Sequence, residues 1–412
     1  MPRKFRVPRI IKALGTVVLA GTSMIVIRDI AWYRFNLRTR DQTKTTQRCY
    51  DWFEHYLPKT TRGKWIDYSE GIFDFSGQPG MTLEAATENK YRYIFEKLGL
   101  RRGMKLLDAG CGRGVWMLYC QNRGVQVVGL TLSPEQAMNA REKGLEVHVM
   151  DYRVENPRFL GQFDAVTALG STEHLCSSRG GLAGDTAREH SISTLTEVWQ
   201  LFHRYLKQEG VCYLTTLTVN DDAQWSLWDY WQTYVLDQHY GGYYPRWRDI
   251  QDRIVPATGF TITDSQDHTR SYHWSSMVDP RHFGYFKIDW TEDPADKVAY
   301  FFKGLVQNPL QLPFHWLYQG CDTWMWQFGG PQRMPLTDQQ VATVPMQLKY
   351  VKFEKKPKSP KPREAPPTAT PDRKGGGLFT AYKRRTALPV HADVVDVPRS
   401  CRSRMGSLSC AI

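Results

Sequence analysis

The stretch Lys105-Leu106-Leu107-Asp108-Ala109-Gly110-Cys111-Gly112-Arg113-Gly114 constrains this 412-residue chain more than any other. An apolar run ends in an acid, glycines follow at every second position, and Val115 to Cys120 then reads as a helix. That order builds a nucleotide crevice at the carboxyl end of the first strand of an open α/β sheet. Glycines let the backbone approach a ligand closely, and the helix N-terminus offers unpaired N–H groups to a negative group. Asp108 stands just ahead of the first glycine, where a carboxylate meets a cationic amine and repels a pyrophosphate. S-adenosylmethionine, with both an amino group and a carboxylate, satisfies both conditions.

The residues downstream keep this reading. Gln126 to Thr131 is a short apolar strand, and it places Thr131 about twenty residues past the loop, where a ribose-binding group is expected. A dinucleotide enzyme would carry an acid there, so a hydroxyl departs from that fingerprint. Ser133 is expected to cap a helix with Pro134 at its first position and Gln136 closing a capping box. Leu145 to Met150 reads as a third strand ending at Asp151 and Tyr152, a carboxylate for the adenine amine and a ring to cover it. Taken alone, the glycine loop is equally a tight strand-to-helix turn; the ordered series of strand, acid, loop, helix and second strand is what separates the two.

Phe163 to Leu169 supplies a fourth strand, followed by Gly170-Ser171-Thr172-Glu173-His174. Val198 to Leu206 reads as helix broken at Gly210, Val211 to Val219 as a fifth strand, and Phe260 to Ile262 as the start of a sixth. Gln347 to Phe353 alternates apolar and polar residues and would close the sheet as an antiparallel edge. Such βα alternation implies a parallel sheet covered on both faces. Its ligand groups should gather at strand ends: Asp108, Thr131, Asp151, Glu173 and Thr215.

The net charge of +12 is carried by the two ends. Residues 1–44 hold ten basic and two acidic side chains, residues 355–412 thirteen and four, and the body between is net acidic. That distribution argues against a nucleic-acid enzyme and directs the ends toward an anionic surface. Eight scattered cysteines with no C-x-x-C pair give neither a zinc site nor a disulfide framework, which favours a reducing compartment. Ile10 to Ile27 is an apolar run broken by Lys12, preceded by Arg3, Lys4, Arg6 and Arg9 and followed by Trp32, Tyr33 and Phe35 among arginines. It is expected to be a membrane segment near the minimum spanning length, with an interfacial helix and a signal peptide as the competing readings. Residues 355–372 contain six prolines and little apolar material, so 355–412 is expected to be a disordered basic tail. The three divisions are thus residues 1–44, a catalytic domain over 45–354 with an N-terminal cap at 45–100, and the tail.

Within that domain, Tyr68-Ser69-Glu70-Gly71-Ile72-Phe73, Leu83-Glu84-Ala85-Ala86 with Lys90, the glycine loop, Gly129 to Gln136 and Gly170 to Leu175 follow one another in an order that resembles the cyclopropane-fatty-acid and mycolic-acid cyclopropane synthase family over roughly residues 48–354. The resemblance implies a Rossmann-like class I methyltransferase fold, with a seven-stranded mostly parallel sheet, helices on both faces and a helical cap. It implies an S-adenosylmethionine-dependent enzyme acting on unsaturated lipid chains, which the apolar N-terminal run would bring to a membrane surface. By the same resemblance Tyr68 and Ser69 touch the donor from the cap, Gly110 and Gly112 line the loop, Thr131, Leu132 and Gln136 hold ribose and adenine, and Leu169 lies beneath the sulfonium.

The family's base is a bicarbonate ion held by a glutamate, a histidine, a tyrosine and backbone groups. Glu173 matches the glutamate, but Thr215 stands at the histidine, His268 at the tyrosine once one gap is allowed, and Glu70 at a motif cysteine. Recognition of the donor therefore transfers better than ring closure. His268 or His174 is the candidate base in bicarbonate's stead, since imidazole titrates near neutrality; otherwise the product is a methyl branch. Small-amine N-methylation and a donor-binding protein without catalysis are the alternatives. The aromatic sets Trp225, Trp228, Trp231 and Phe314, Trp316, Trp324, Trp326 suit core packing or an acyl channel equally. Long loops at Cys176 to His190 and Val278 to Pro309 would shape substrate entry or form surface insertions.

Overall fold

Seven short apolar runs and the glycine turns between them assemble one sheet. The computed structural model describes residues 43–44, 46–47, 50–51, 54, 69–76, 80–175, 185–227, 229–230, 233, 242–278 and 334–356. The chain divides into two compact units, Met1–Pro357 and Lys358–Ile412, and the described residues all belong to the first. The expected membrane segment at 10–27, the basic tail beyond 356, Tyr68 and the aromatic cluster from Phe314 to Trp326 lie outside them. Among the described residues no helix is long and apolar enough to cross a membrane.

Helix α1 (Leu83–Leu98) starts where the Thr82 hydroxyl accepts from Ala85 N–H, and ends at Gly99 in the left-handed region. Strand β1 (Lys105–Ala109) runs into the glycine loop and α2 (Val115–Gln121). Strand β2 (Gln126–Thr131), helix α3 (Pro134–Glu142) and strand β3 (Glu146–Val149) follow. Strand β4 (Phe163–Leu169) leads to a 3₁₀ turn at Thr172–Leu175, helix α4 (Asp185–Tyr205) and strand β5 (Leu206–Val219). A helical stretch containing a π segment at Ile250–Ile254 precedes β6 (Phe260–Asp267) and α5 (Thr269–Val278). The short α6 (Asp338–Thr343) then leads to β7 (Met346–Lys355).

The strand order is β3-β2-β1-β4-β5-β7-β6. Strands β1 to β5 pair in parallel, while β7 runs antiparallel to both β5 and β6. Two expectations are corrected here. Strand β7 is antiparallel but not an edge: it is inserted between β5 and β6, and β6 is the outer strand. Gly210 does not precede the fifth strand but lies within it, since β5 begins at Leu206; its register against β4 shifts between the Phe163–Leu206 and Ala165–Val211 pairs.

Each sheet face buries its own apolar layer. Val198, Trp199, Phe202 and Tyr205 of α4 pack with Leu107, Val166, Leu214 and Phe353 on one side. Tyr91 and Ile94 of α1 and Trp116, Met117 and Cys120 of α2 pack with Leu106, Val127, Tyr213 and Tyr350 on the other. With both faces covered, the carboxyl ends of the central strands are left as the open crevice of the sheet.

Candidate active site

One cavity occupies that crevice, and the strand ends line it. Asp108 from β1, Thr131 from β2, Asp151 after β3, Leu169 at the end of β4, Glu173 after it, and Thr215 of β5 all line it, with Ser69, Gly110, Gly112, Leu132, Gln136, Tyr152 and His174. Two predicted site residues are not in its wall as described: Tyr68 lies outside the described residues, and His268 lies elsewhere.

The glycine turn is dictated by space and by backbone. Gly110 takes φ +85°, and a Cβ there would stand 2.4 Å from the Ser171 Cβ, so no larger residue fits. Asp108 is buried and accepts from the Thr167 hydroxyl at 2.8 Å; that hydroxyl in turn accepts from the Trp116 indole at 3.2 Å. Trp116 thus orients the threonine, and the threonine orients the carboxylate.

Thr131 donates to Gln136 Oε1 at 2.8 Å, and Ser133 caps α3 by accepting from Gln136 N–H at 3.1 Å. Only this half of the expected capping box forms, because the Gln136 side chain turns to Thr131. Asp51 accepts from the Ser133 hydroxyl, tying residues ahead of α1 to this rim. Asp151 forms a 2.6 Å ion pair with Arg153, and Thr43 bonds to both. Burial alone would raise the Asp151 carboxyl; the Arg153 guanidinium outweighs it and holds the group below its usual value. Tyr152 is buried against Phe202 and donates to Ser171 C=O at 2.9 Å, so its ring belongs to the core as well as to the cavity.

The opposite wall is built around Glu173. Its carbonyl accepts from Tyr243 N–H at 2.9 Å, and its Oε1 accepts from Leu217 N–H of β5 at 2.6 Å. Gly242 lets the chain pass close, since a Cβ there would stand 3.0 Å from Glu173 O. The side chain is 3% exposed, and its Oε2 is buried with no hydrogen-bond partner. Burial pushes the Glu173 carboxyl up to about 7; the Leu217 N–H works against that rise and the Glu70 charge adds to it. His174 meets the Tyr50 hydroxyl at 2.8 Å, and burial lowers its imidazole to about 4, so it is neutral at physiological pH. Glu70, also buried, accepts from the Tyr350 hydroxyl of β7.

His268 packs with Tyr350 at a ring separation of 4.3 Å and with Tyr93 at 5.5 Å, and burial lowers it to about 4. Among the tyrosines that line the cavity, Tyr272 belongs to α5, and its backbone N–H bonds to the C=O of His268, one turn earlier and just ahead of that helix. An alignment that reaches His268 therefore stops one helical turn short of the cavity. Tyr272, Tyr244 and Leu348 were not singled out from sequence, and only the 3.6-residue period beyond His268 could have pointed to the first of them.

The mycolic acid cyclopropane synthetase family model matches residues 37–279, more than half of the chain. The chain belongs to this family. Proteins similar to it include a "probable fatty acid methyltransferase" of Mycobacterium tuberculosis, 42% identical over 129 residues, which cover 26% of this chain and 30% of that protein. A second is the cyclopropane-fatty-acyl-phospholipid synthase of Escherichia coli strain K12, 43% identical over 140 residues, or 33% of this chain and 32% of that one. The chain thus matches roughly a third of these relatives' length. The solved mycolic acid cyclopropane synthase CmaA1, in complex with SAH and CTAB, superposes with a TM-score of 0.54 at 22% identity, covering 77% of this chain and 99% of its own. That likeness establishes the class I methyltransferase fold.

Proposed function

We propose that this protein is an S-adenosylmethionine-dependent methyltransferase that adds a methyl or methylene carbon to unsaturated lipid chains. The observation that carries the reading is one cavity holding both a donor half and a reaction half. Asp108 offers a buried, oriented carboxylate to an amino group, Thr131 and Gln136 a hydroxyl and an amide to a ribose, and Asp151 an acceptor at the adenine end. The glycine loop brings backbone N–H groups close enough for a carboxylate. These groups fit S-adenosylmethionine, which when bound supplies an electrophilic methyl group.

The reaction half is largely apolar and holds the carboxyls of Glu173 and Glu70. Leu169, Leu175, Leu217, Tyr244, Tyr272 and Leu348 give a hydrocarbon chain a dry lining beside Glu173. Such a wall keeps water from a cationic carbon, and a single carboxyl can remove a proton from it. Family membership supports the lipid substrate, since similar proteins are named for fatty acid methylation and for cyclopropane formation on phospholipid chains. Attachment to a membrane surface belongs to the same proposal and is supported by the basic, aromatic-flanked apolar run at 10–27.

The test is transfer of label from methyl-labelled S-adenosylmethionine into a mixed lipid extract, followed by mass analysis of the acyl chains. Labelled chains that have lost a double bond and resist hydrogenation are the expected cyclopropane product, and labelled branched chains the expected methyl product. Donor binding without any lipid label refutes the proposal.

A further inference from the structure

Bicarbonate, the base that the family resemblance implies, would need hydrogen-bond donors around it. Of the residues at the matching positions, Thr215 brings a hydroxyl in place of an imidazole, and His268 stands outside the cavity wall. Tyr244 and Tyr272 bring phenols, but Glu70 adds a second carboxylate beside Glu173 in the same space. Two carboxylates disfavour a third anion between them. The residues present do not fit bicarbonate.

They do fit a base made from the chain itself. Glu173 lines the cavity, and its Oε2 is buried without a hydrogen-bond partner. Buried polar atoms are almost always satisfied, and one left unpaired on a residue of a cavity wall marks a place where a proton can land. The rest of the side chain is fixed: Oε1 is held by Leu217 N–H, the main chain by Tyr243 N–H. Glu70 is fixed in turn by the Tyr350 hydroxyl. We propose that Glu173 Oε2 is itself the base of the lipid reaction, with Glu70 as its positioning neighbour, so that this chain works without bicarbonate.

The assignment rests on the lipid reading of the site. Once the methyl carbon has joined the double bond, one of its C–H bonds breaks. The electron pair closes the cyclopropane ring onto the neighbouring cationic carbon or, after a 1,2-hydride shift has moved the cation to the methylated carbon, forms a methylidene double bond, and the proton goes to Glu173 Oε2. The acid returns that proton to water when the product leaves. The groups facing Glu173 are Glu70 ahead of α1, Tyr152 after β3, His174 beside it, Thr216 of β5 and Tyr272 of α5. Burial raises both phenols and lowers the imidazole, so these three are neutral near pH 7. Among the groups so named only Glu70 acts on Glu173 through its charge, and a base that titrates near the working pH is the efficient one.

The full chain, purified with its donor, is assayed on vesicles of phospholipid with cis-unsaturated chains, in buffer stripped of carbon dioxide and again with bicarbonate restored. The rate is expected to be the same within about twofold, and ¹³C-bicarbonate is expected not to bind. Glu173→Gln should lower kcat by about a hundredfold or more with donor affinity unchanged. Glu70→Gln should move the acid limb of the kcat–pH profile from near 7 toward lower pH, because it removes the neighbouring charge. Infrared difference spectra of the protonated carboxyl should show the same movement without any substrate. A tenfold stimulation by bicarbonate, bicarbonate binding, or an acid limb that stays in place in Glu70→Gln overturns this assignment alone. No lipid turnover in either buffer, with donor bound, overturns the lipid reading and this assignment with it.

Discussion

Replacing Glu173 by glutamine should make the protein more stable while it loses activity, and the gain should depend on pH. The carboxyl goes from 4.5 in the unfolded chain to about 7 in the folded one, chiefly through burial. Its ionised form is therefore a cost to folding that is full above the folded value and vanishes below the unfolded one. For those two values the cost is about 3 kcal/mol at pH 8 and about 1 kcal/mol at pH 5. Glutamine keeps the shape and an oxygen for Leu217 N–H, but never pays this ionisation cost. Urea unfolding of both proteins at the two pH values measures the difference directly. The variant is expected to lead by about 3 kcal/mol at pH 8 and to lose most of that lead at pH 5. A lead that is absent at pH 8, or the same at both, would show that Glu173 is not held in a medium that penalises its charge.

Other consequences are as direct. Gly110→Ala puts a side chain on a residue at φ +85° against Ser171, and should cost about 2 kcal/mol or more in thermal unfolding and abolish donor binding by calorimetry. Asp108→Asn keeps the partner for Thr167 but removes the charge, and should weaken donor binding by about tenfold or more, read by the same titration. His268→Phe should leave donor affinity and neutral-pH turnover unchanged, since His268 packs among Tyr93 and Tyr350. It should also remove acid sensitivity: the parent's imidazole, lowered to about 4, costs stability as pH falls below 6.5, by up to about 3 kcal/mol at pH 4.

The parts of this molecule that were legible in sequence are those decided by neighbouring residues. Strands β2 and β4 begin and end where the apolar runs do, because a strand covered on both faces reads as an uninterrupted hydrophobic run. Asp108, Thr131, Asp151, Glu173 and Thr215 share one cavity because parallel strands place their carboxyl ends on the same side. What stayed hidden depends on distant pairing. Nothing local says that β7 enters between β5 and β6, that Gln136 prefers Thr131 to its own helix start, or that Arg153 occupies Asp151. Glu70 looks like one acid in a polar segment until Tyr350, 280 residues later, reaches it. The choice between His268 and Tyr272 turns on one turn of helix, a difference smaller than the gap an alignment must insert.

The late position of β7 in the chain has a consequence for the order of assembly. Among the described residues strand β6 pairs with the sheet only through β7, and Tyr350, opposite Thr215 in the β5–β7 register, is the residue that fixes Glu70. During synthesis β1 to β5 can pair as they emerge, but the acid pair stays unassembled until the last strand of the sheet slots into its interior. Contacts this far apart in sequence form slowly. The protein therefore acquires its paired carboxyls as one of its final folding events, and a chain stalled before residue 346 would hold the donor pocket's strands without Tyr350 to fix Glu70.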